Sequence, residues 1–243
     1  MDNNYDVLIY SSPKCAGNTL QANLLESNIK TYYTHSMSFF TSAFPGQNNP
    51  ISLKEFININ SEHKPFKIIN IYRDELEACM SFFFQVIEAI MPDYDKKTTE
   101  ELINYFNDHM LKYQINNFFK GFFELYPEEY KNIQYFDHNK KYHSWKKGNI
   151  EFIILRYRDI KLWHLILNDI FDLKLGKLTA SRNESVNKNY YNKYLDFLEK
   201  YKLPQEIYNK IFDDSKNVLK CMLTEEEYNK YKNKLLLLLC NKK

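Results

Sequence analysis

The chain has 243 residues, with 33 Lys and Arg against 31 Asp and Glu for a net charge of +2, an apolar fraction of 44% and 16% aromatics. That length can bury a substantial core, the aromatic content argues against disorder, and the balanced charge argues against a general nucleic-acid binder, which would show a strong basic excess. Cys15, Cys79, Cys221 and Cys240 form no CxxC pair, so neither a disulfide framework nor a zinc site is expected, and reduced thiols fit a cytoplasmic location.

The first element is an apolar, β-branched run, Val7-Leu8-Ile9-Tyr10, of strand length. No basic segment precedes it, and it is too short for a signal peptide or a membrane span. It ends in Ser11-Ser12-Pro13, passes through Lys14-Cys15-Ala16-Gly17-Asn18, and enters a helix-like segment at Thr19-Leu20-Gln21-Ala22-Asn23-Leu24-Leu25. A strand, a tight loop of small residues and a helix start make an anion cradle. The first helical N–H groups have no intrahelical partners and lie at the positive end of the dipole, where Lys14, Asn18 and Thr19 can add a charge and side-chain donors.

This is not a Walker A loop, which needs Gly, four residues, then Gly-Lys-Ser/Thr. Pro13-Lys14-Cys15-Ala16-Gly17-Asn18-Thr19-Leu20 instead resembles the 5′-phosphosulfate loop of sulfotransferases, particularly carbohydrate sulfotransferases and their bacterial relatives. There Pro-Lys-Cys/Thr-Ala/Gly-Gly-Thr-Thr/Ser is usual, and Asn18 departs by replacing a hydroxyl residue. The resemblance implies that Pro13 through Thr19 bind the donor nucleotide and that Lys14 is catalytic.

Lys30-Thr31-Tyr32-Tyr33-Thr34 reads as a second strand, ending at His35. A loop with Pro45, Gly46 and Pro50 and a short helix near Ser52 to Ile59 follow, then the clearest apolar strand, Phe66 to Tyr72. Strand, helix, strand, helix, strand predicts βαβ units with right-handed crossovers around a parallel sheet. Arg73-Asp74-Glu75-Leu76-Glu77-Ala78-Cys79-Met80-Ser81 then opens a helix, with Asp74 and Glu77 in capping-box spacing. Arg73 therefore stands at a strand's carboxyl end, the edge where open α/β sheets bind ligands. Only four Arg occur in the chain, at 73, 156, 158 and 182, which marks each as a place for a planar fork rather than a point charge.

Here a second resemblance to sulfotransferases enters. Their Arg-Asp-Pro-x-x-Arg-x-x-Ser motif uses the first Arg and the Ser to hold the 3′-phosphate, and Arg73 and Ser81 match in type and spacing. Glu75 stands where Pro is usual and Ala78 where the second Arg is usual.

From Thr98 to Phe123 apolar residues recur three and four apart, which predicts a core helix. Tyr135 to Trp145 is polar and aromatic, with His138 and His143, and has no assigned element. Gly148-Asn149 turns into a strand, Ile150 to Tyr157, after which Asp159 is expected to cap a helix through Trp163 and Ile170. Leu155-Arg156-Tyr157-Arg158-Asp159-Ile160 resembles a Leu-x-Tyr-Glu-Asp-Leu sequence of the same family, and the order of elements is similar to bacterial capsular polysaccharide synthesis proteins. A polar loop, Leu178 to Val186, carries Arg182, which with Lys188 is a candidate to close over the nucleotide. The remainder reads as helices at Tyr190 to Tyr201, Gln205 to Asp213 and Thr224 to Leu239, broken at Pro204 and started by Thr224 and Glu227. The Leu235 to Leu239 run is too short to cross a bilayer and is expected to pack the last helix.

The expectation is one α/β domain over residues 1–243, a P-loop-like three-layer fold with a central parallel sheet and a helical C-terminal extension at 190–243. The resemblance implies transfer of a sulfuryl group from 3′-phosphoadenosine-5′-phosphosulfate (PAPS) to a hydroxyl or amine of a glycan or other small polar acceptor, without a metal. His35, at the same sheet edge as Lys14 and of the residue type most often used to move protons in catalysis, is the candidate base. A P-loop kinase would need the absent Walker A loop, whereas a non-catalytic nucleotide-binding module on this fold is compatible with the departures at Asn18, Glu75 and Ala78. The acceptor and the oligomeric state are not readable.

Overall fold

The computed structural model describes residues 4–35, 51–111, 118–176 and 189–240. The chain forms two compact units, the first from Met1–Arg73 with Asn117–Arg182 and the second from Asp74–Asn116 with Asn183–Lys243.

The first unit is a mixed α/β body built on a five-stranded sheet. Its strands are β1 (Val7–Ser11), β2 (Thr31–Thr34), β3 (Phe66–Tyr72), β4 (Tyr142–Lys147) and β5 (Ile150–Arg156), in the order β2-β1-β3-β5-β4. β1 pairs in parallel with β2 and β3, and β3 in parallel with β5, while β4 adds an antiparallel edge. Sheet pairing explains the near-continuous apolar runs, because the inner strands are covered on both faces.

The two faces are read off alternate residues. Val7 and Ile9 of β1, Ile69 and Ile71 of β3, and Ile153 and Leu155 of β5 share one cluster with helix α1 (Gly17–Glu26) through Leu20 and Leu24, and with the helix Trp163–Phe171 through Trp163, Ile166 and Leu167. The opposite face carries an aromatic layer. Tyr10 and Phe152 both meet Phe122 of the helix Phe118–Phe122, and Tyr32 and Phe66 meet Phe56 of α2 (Leu53–Ser61). Ser52 caps α2 as a capping box with Glu55, each accepting the other's backbone N–H at 3.2 and 2.7 Å.

The second unit is helical. It contains α3 (Glu75–Ile90), α4 (Thr99–Tyr105) continued by a π-helical turn at Phe106–Leu111, α7 (Tyr191–Lys200), α8 (Gln205–Met222) and α9 (Glu225–Cys240), whereas α5 (Phe118–Phe122) and α6 (Trp163–Phe171) belong to the first unit. Phe84 of α3 packs edge to face on Phe83 and on Phe197 of α7, and Phe106 edge to face on Phe197, at 5.0–5.4 Å between ring centres; Phe83 lies tilted against Phe106 at 5.4 Å, and Tyr201 stacks on Phe197. Asp74 caps α3 by accepting the Glu77 N–H at 2.8 Å. The Glu77 carboxylate pairs with Lys234 of α9 at 2.6 Å. Thr224 and Glu227 form the expected start of α9.

Several expectations are corrected. The Thr98 to Phe123 pattern is not one regular α-helix: α4 ends at Tyr105 and its continuation to Leu111 widens to π geometry, residues 112–117 lie outside the described residues, and α5 belongs to the other unit. The unassigned 135–145 segment contains β4, whose side chains are half-buried or exposed because it is a sheet edge. Asp159 caps no helix; its carboxylate accepts from Arg156 Nε at 2.5 Å within a 3₁₀ turn at Tyr157–Leu162. The helix expected at 205–213 runs on to Met222. Leu235 is buried but Leu237 is 68% exposed, so the leucine run packs by one face only. Among the described residues no helix is long and apolar enough to cross a membrane.

Candidate functional site

Parallel register brings the carboxyl ends of β1, β2, β3 and β5 to one edge. Tyr10 pairs with Thr34, Ser11 with Ile71, and Tyr72 with Arg156. Chain direction along the sheet reverses at β1, with β2 on one side and β3 on the other, and the crevice outside such a switch point is where open α/β sheets take ligands. The Ser12–Ala16 loop leaves β1 at this point.

The loop is held in an uncommon backbone form. Lys14 (φ 65°) and Ala16 (φ 58°) both adopt the left-handed conformation although neither is glycine. For an ordinary L-residue this costs roughly 1–2 kcal/mol, so the surroundings must impose it. Part of that constraint comes from Cys15 between them, whose side chain is fully buried in the sheet–α1 cluster. Its thiol lies 2.9 Å from the Ser12 hydroxyl. Burial pushes the Cys15 thiol up to about 11, against the smaller opposing effects of Ser12 and the Arg73 charge, so this thiol is a packing group and not a nucleophile. Only its backbone is available to a ligand.

Helix α1 starts at Gly17, two residues before the sequence suggests, with Ala16 as N-cap and no side-chain cap. The first internal bond runs from Leu20 N–H to Ala16 C=O at 3.0 Å. The N–H groups of Gly17, Asn18 and Thr19 therefore precede the helical ladder and carry the positive end of the dipole. Asn18 is exposed and Thr19 half-buried. Gly17 has a local explanation: a Cβ there would lie 2.2 Å from Tyr33 Cε2, so the ring of β2 fills the space a side chain would need. Tyr33 also hydrogen-bonds Ser11, and burial raises its pKa.

Arg73 follows the middle strand and reaches to both neighbours. Its Nη1 donates to the Lys14 carbonyl, 59 residues earlier in the chain. Its guanidinium carbon lies 4.2 Å from the ring centre of Tyr157, the residue after β5. Its Nε is buried with no hydrogen-bond partner among the described residues. A buried donor without an acceptor costs about 1–3 kcal/mol, and an anionic oxygen is the acceptor a guanidinium takes best.

The structure thus brings together Lys14, the start of α1 and Arg73. His35 stands at the same edge, exposed, with its ring centre 6.1 Å from that of Tyr33. Ser81 is 7% exposed on α3 in the helical unit. Arg182 and Lys188 lie outside the described residues, as does the 36–50 stretch after His35. Arg156 is 1% exposed, paired with Asp159 and 5.1 Å from the Phe136 ring centre, so this Arg is part of the core. His143 stacks on Trp145 at 5.3 Å, and burial lowers its pKa. Tyr33 and Tyr157 were the residues missed by sequence reasoning. Tyr157 lies in the quoted Leu155-Arg156-Tyr157 motif, and Tyr33 carries only an ordinary strand signal.

No protein-family model, curated protein or solved structure matches this chain. The functional reading accordingly stands on these residues and on the two motif resemblances.

Proposed function

We propose that the chain is a PAPS-dependent sulfotransferase acting on a hydroxyl or amine of a glycan or other small polar acceptor, on a P-loop-like α/β unit. The observation that carries the reading is the hydrogen bond from Arg73 to the Lys14 carbonyl, which joins the two sequence motifs at one sheet edge. The donor set suits the ligand: among the described residues, a helix start with no side-chain cap, a left-handed loop and a buried guanidinium N–H with no acceptor all favour phosphate or sulfate oxygens.

When bound, PAPS supplies an activated sulfuryl group and a nucleotide leaving group. In this proposal the N–H groups of Gly17 to Thr19 orient the 5′ end, and Lys14 stabilises the charge that develops on the departing oxygen. Arg73 takes the 3′-phosphate; Ser81 enters on the sequence motif alone. His35 accepts the acceptor's proton as its oxygen or nitrogen attacks. Cytoplasmic placement belongs to the same proposal.

The test is calorimetric titration of the full chain with adenosine-3′,5′-bisphosphate, with ATP and magnesium as comparison. Preferential binding of the bisphosphate, weakened by Arg73→Ala more than the binding of adenosine-5′-phosphosulfate, which loses only the support of the Lys14 loop, is the expected result. Lys14→Ala should lower turnover by about 100-fold with a smaller effect on nucleotide affinity. Preference for magnesium-ATP would replace this reading with a kinase, and tight bisphosphate binding without transfer would leave a nucleotide-binding module.

A further inference from the structure

Lys14 is one of the non-glycine residues with positive φ among the described residues, and its conformation needs an external hold. Lysine has no intrinsic liking for φ 65°, and its carbonyl is engaged by a side chain from a different strand. Arginine is a poor clamp by itself, because its long side chain loses rotamer freedom when fixed. Here that freedom is already restricted. Arg73 and Tyr157 are the next residues after Tyr72 and Arg156, which are register partners in the β3–β5 ladder, so the sheet sets the two side chains next to each other. Tyr157 begins the 3₁₀ turn and packs against the sheet–α1–α6 cluster, which gives its ring a fixed seat.

We propose that Tyr157 is a positioning residue: its ring holds the Arg73 guanidinium against the Lys14 carbonyl, and so keeps the loop in its left-handed, anion-binding form. This rests on the nucleotide reading for its functional consequence, but its structural consequence does not. The chain of action runs from the turn after β5, through the residue after β3, to the loop after β1. The π face is the part that matters, since the ring meets a cation over its plane at 4.2 Å. The hydroxyl is dispensable in this arrangement.

The experiment compares Tyr157→Phe, which keeps the face, with Tyr157→Leu, which keeps apolar volume without it. Amide hydrogen exchange is read at Leu20, whose N–H donates to the carbonyl of the left-handed Ala16 at the end of the loop, with the Ile68 to Asn70 amides of β3 as an internal check that the sheet is intact, and bisphosphate affinity is measured by calorimetry. In Tyr157→Leu this amide, which reports the loop, should exchange roughly ten-fold faster and the bisphosphate bind roughly ten-fold more weakly, as loss of a partly desolvated cation–π contact implies. In Tyr157→Phe both should stay within about two-fold of the parent, because phenylalanine offers the same face.

Unchanged loop exchange in Tyr157→Leu, with β3 intact, overturns the proposal. So does loss of bisphosphate binding in Tyr157→Phe with loop protection preserved, which would mean that the hydroxyl meets the ligand directly. If the parent binds no bisphosphate yet Tyr157→Leu frees the loop as expected, the nucleotide reading falls and the positioning role stands.

Discussion

Gly17 has no room for a methyl group, because the Tyr33 ring stands 2.2 Å from where its Cβ would be. Gly17→Ala must therefore displace either the ring or the start of α1, and overpacking of this kind costs about 1–3 kcal/mol. Urea unfolding should show that loss, and Tyr33→Ala should relieve it, so that the double variant is more stable than the two single changes predict. Additive losses would mean that glycine is needed here for something other than the ring. The sequence shows a small residue in a phosphate-type loop, which points to ligand approach. The structure shows that its own aromatic neighbour already requires glycine. Nothing local marks Tyr33, since a tyrosine in a strand is ordinary.

At the scale of elements, the inner strands were legible because burial on both faces demands β-branched, apolar runs, and Val7 to Tyr10, Phe66 to Tyr72 and Ile150 to Leu155 supply them. β4 was not, because an edge strand alternates polar and aromatic residues that also suit a loop. The break after α4 was hidden for a different reason: the 3.6-residue pattern persists through Phe106, Met110 and Leu111 while the backbone widens. The Lys14–Arg73 contact was invisible because only strand order brings those residues together. Helix starts were easier, and α3 allows a test. Asp74 accepts the Glu77 N–H, yet burial first, and the Glu77 carboxylate second, hold its pKa above the usual carboxylate range, with Tyr231 and Lys234 opposing. A raised folded pKa contributes stability that is complete below the unfolded value and is lost as pH rises through the folded one. Asp74→Asn keeps the accepting oxygen and removes the charge, so it should match or exceed the parent at neutral pH, with the difference closing as pH falls below about 4. Asp74→Ala removes the cap and should be about 1 kcal/mol less stable than Asp74→Asn. Urea midpoints across pH decide between these; a parent that loses its disadvantage on going alkaline would contradict the shift.

At the scale of the whole molecule, the chain passes from the sheet unit to the helical unit at Asp74, returns at Asn117 and passes again at Asn183. The helical unit is thus completed by a segment distant in sequence, and Phe83 and Phe84 of α3 depend on Phe197 and Tyr194 of α7 for their rings' company. A chain ending at residue 189 should leave α3 and α4 without their core: amides from Leu76 to Leu102 should lose exchange protection and the product should bind a hydrophobic dye. Retained protection there would show that 190–243 is dispensable. The sheet's exposed margin has a consequence of a different kind. Among the described residues β4 is the end of the strand order, paired with β5 on one side, and an edge of this sort is where a second strand can add. Asp137 bridges back to Tyr142 at one end of that margin, and the exposed Lys146 and Lys147 occupy the other. Lys147 is paired with Glu128 and Glu129, which leaves the exposed Lys146 as the charge that a second sheet, adding edge to edge, would have to bury.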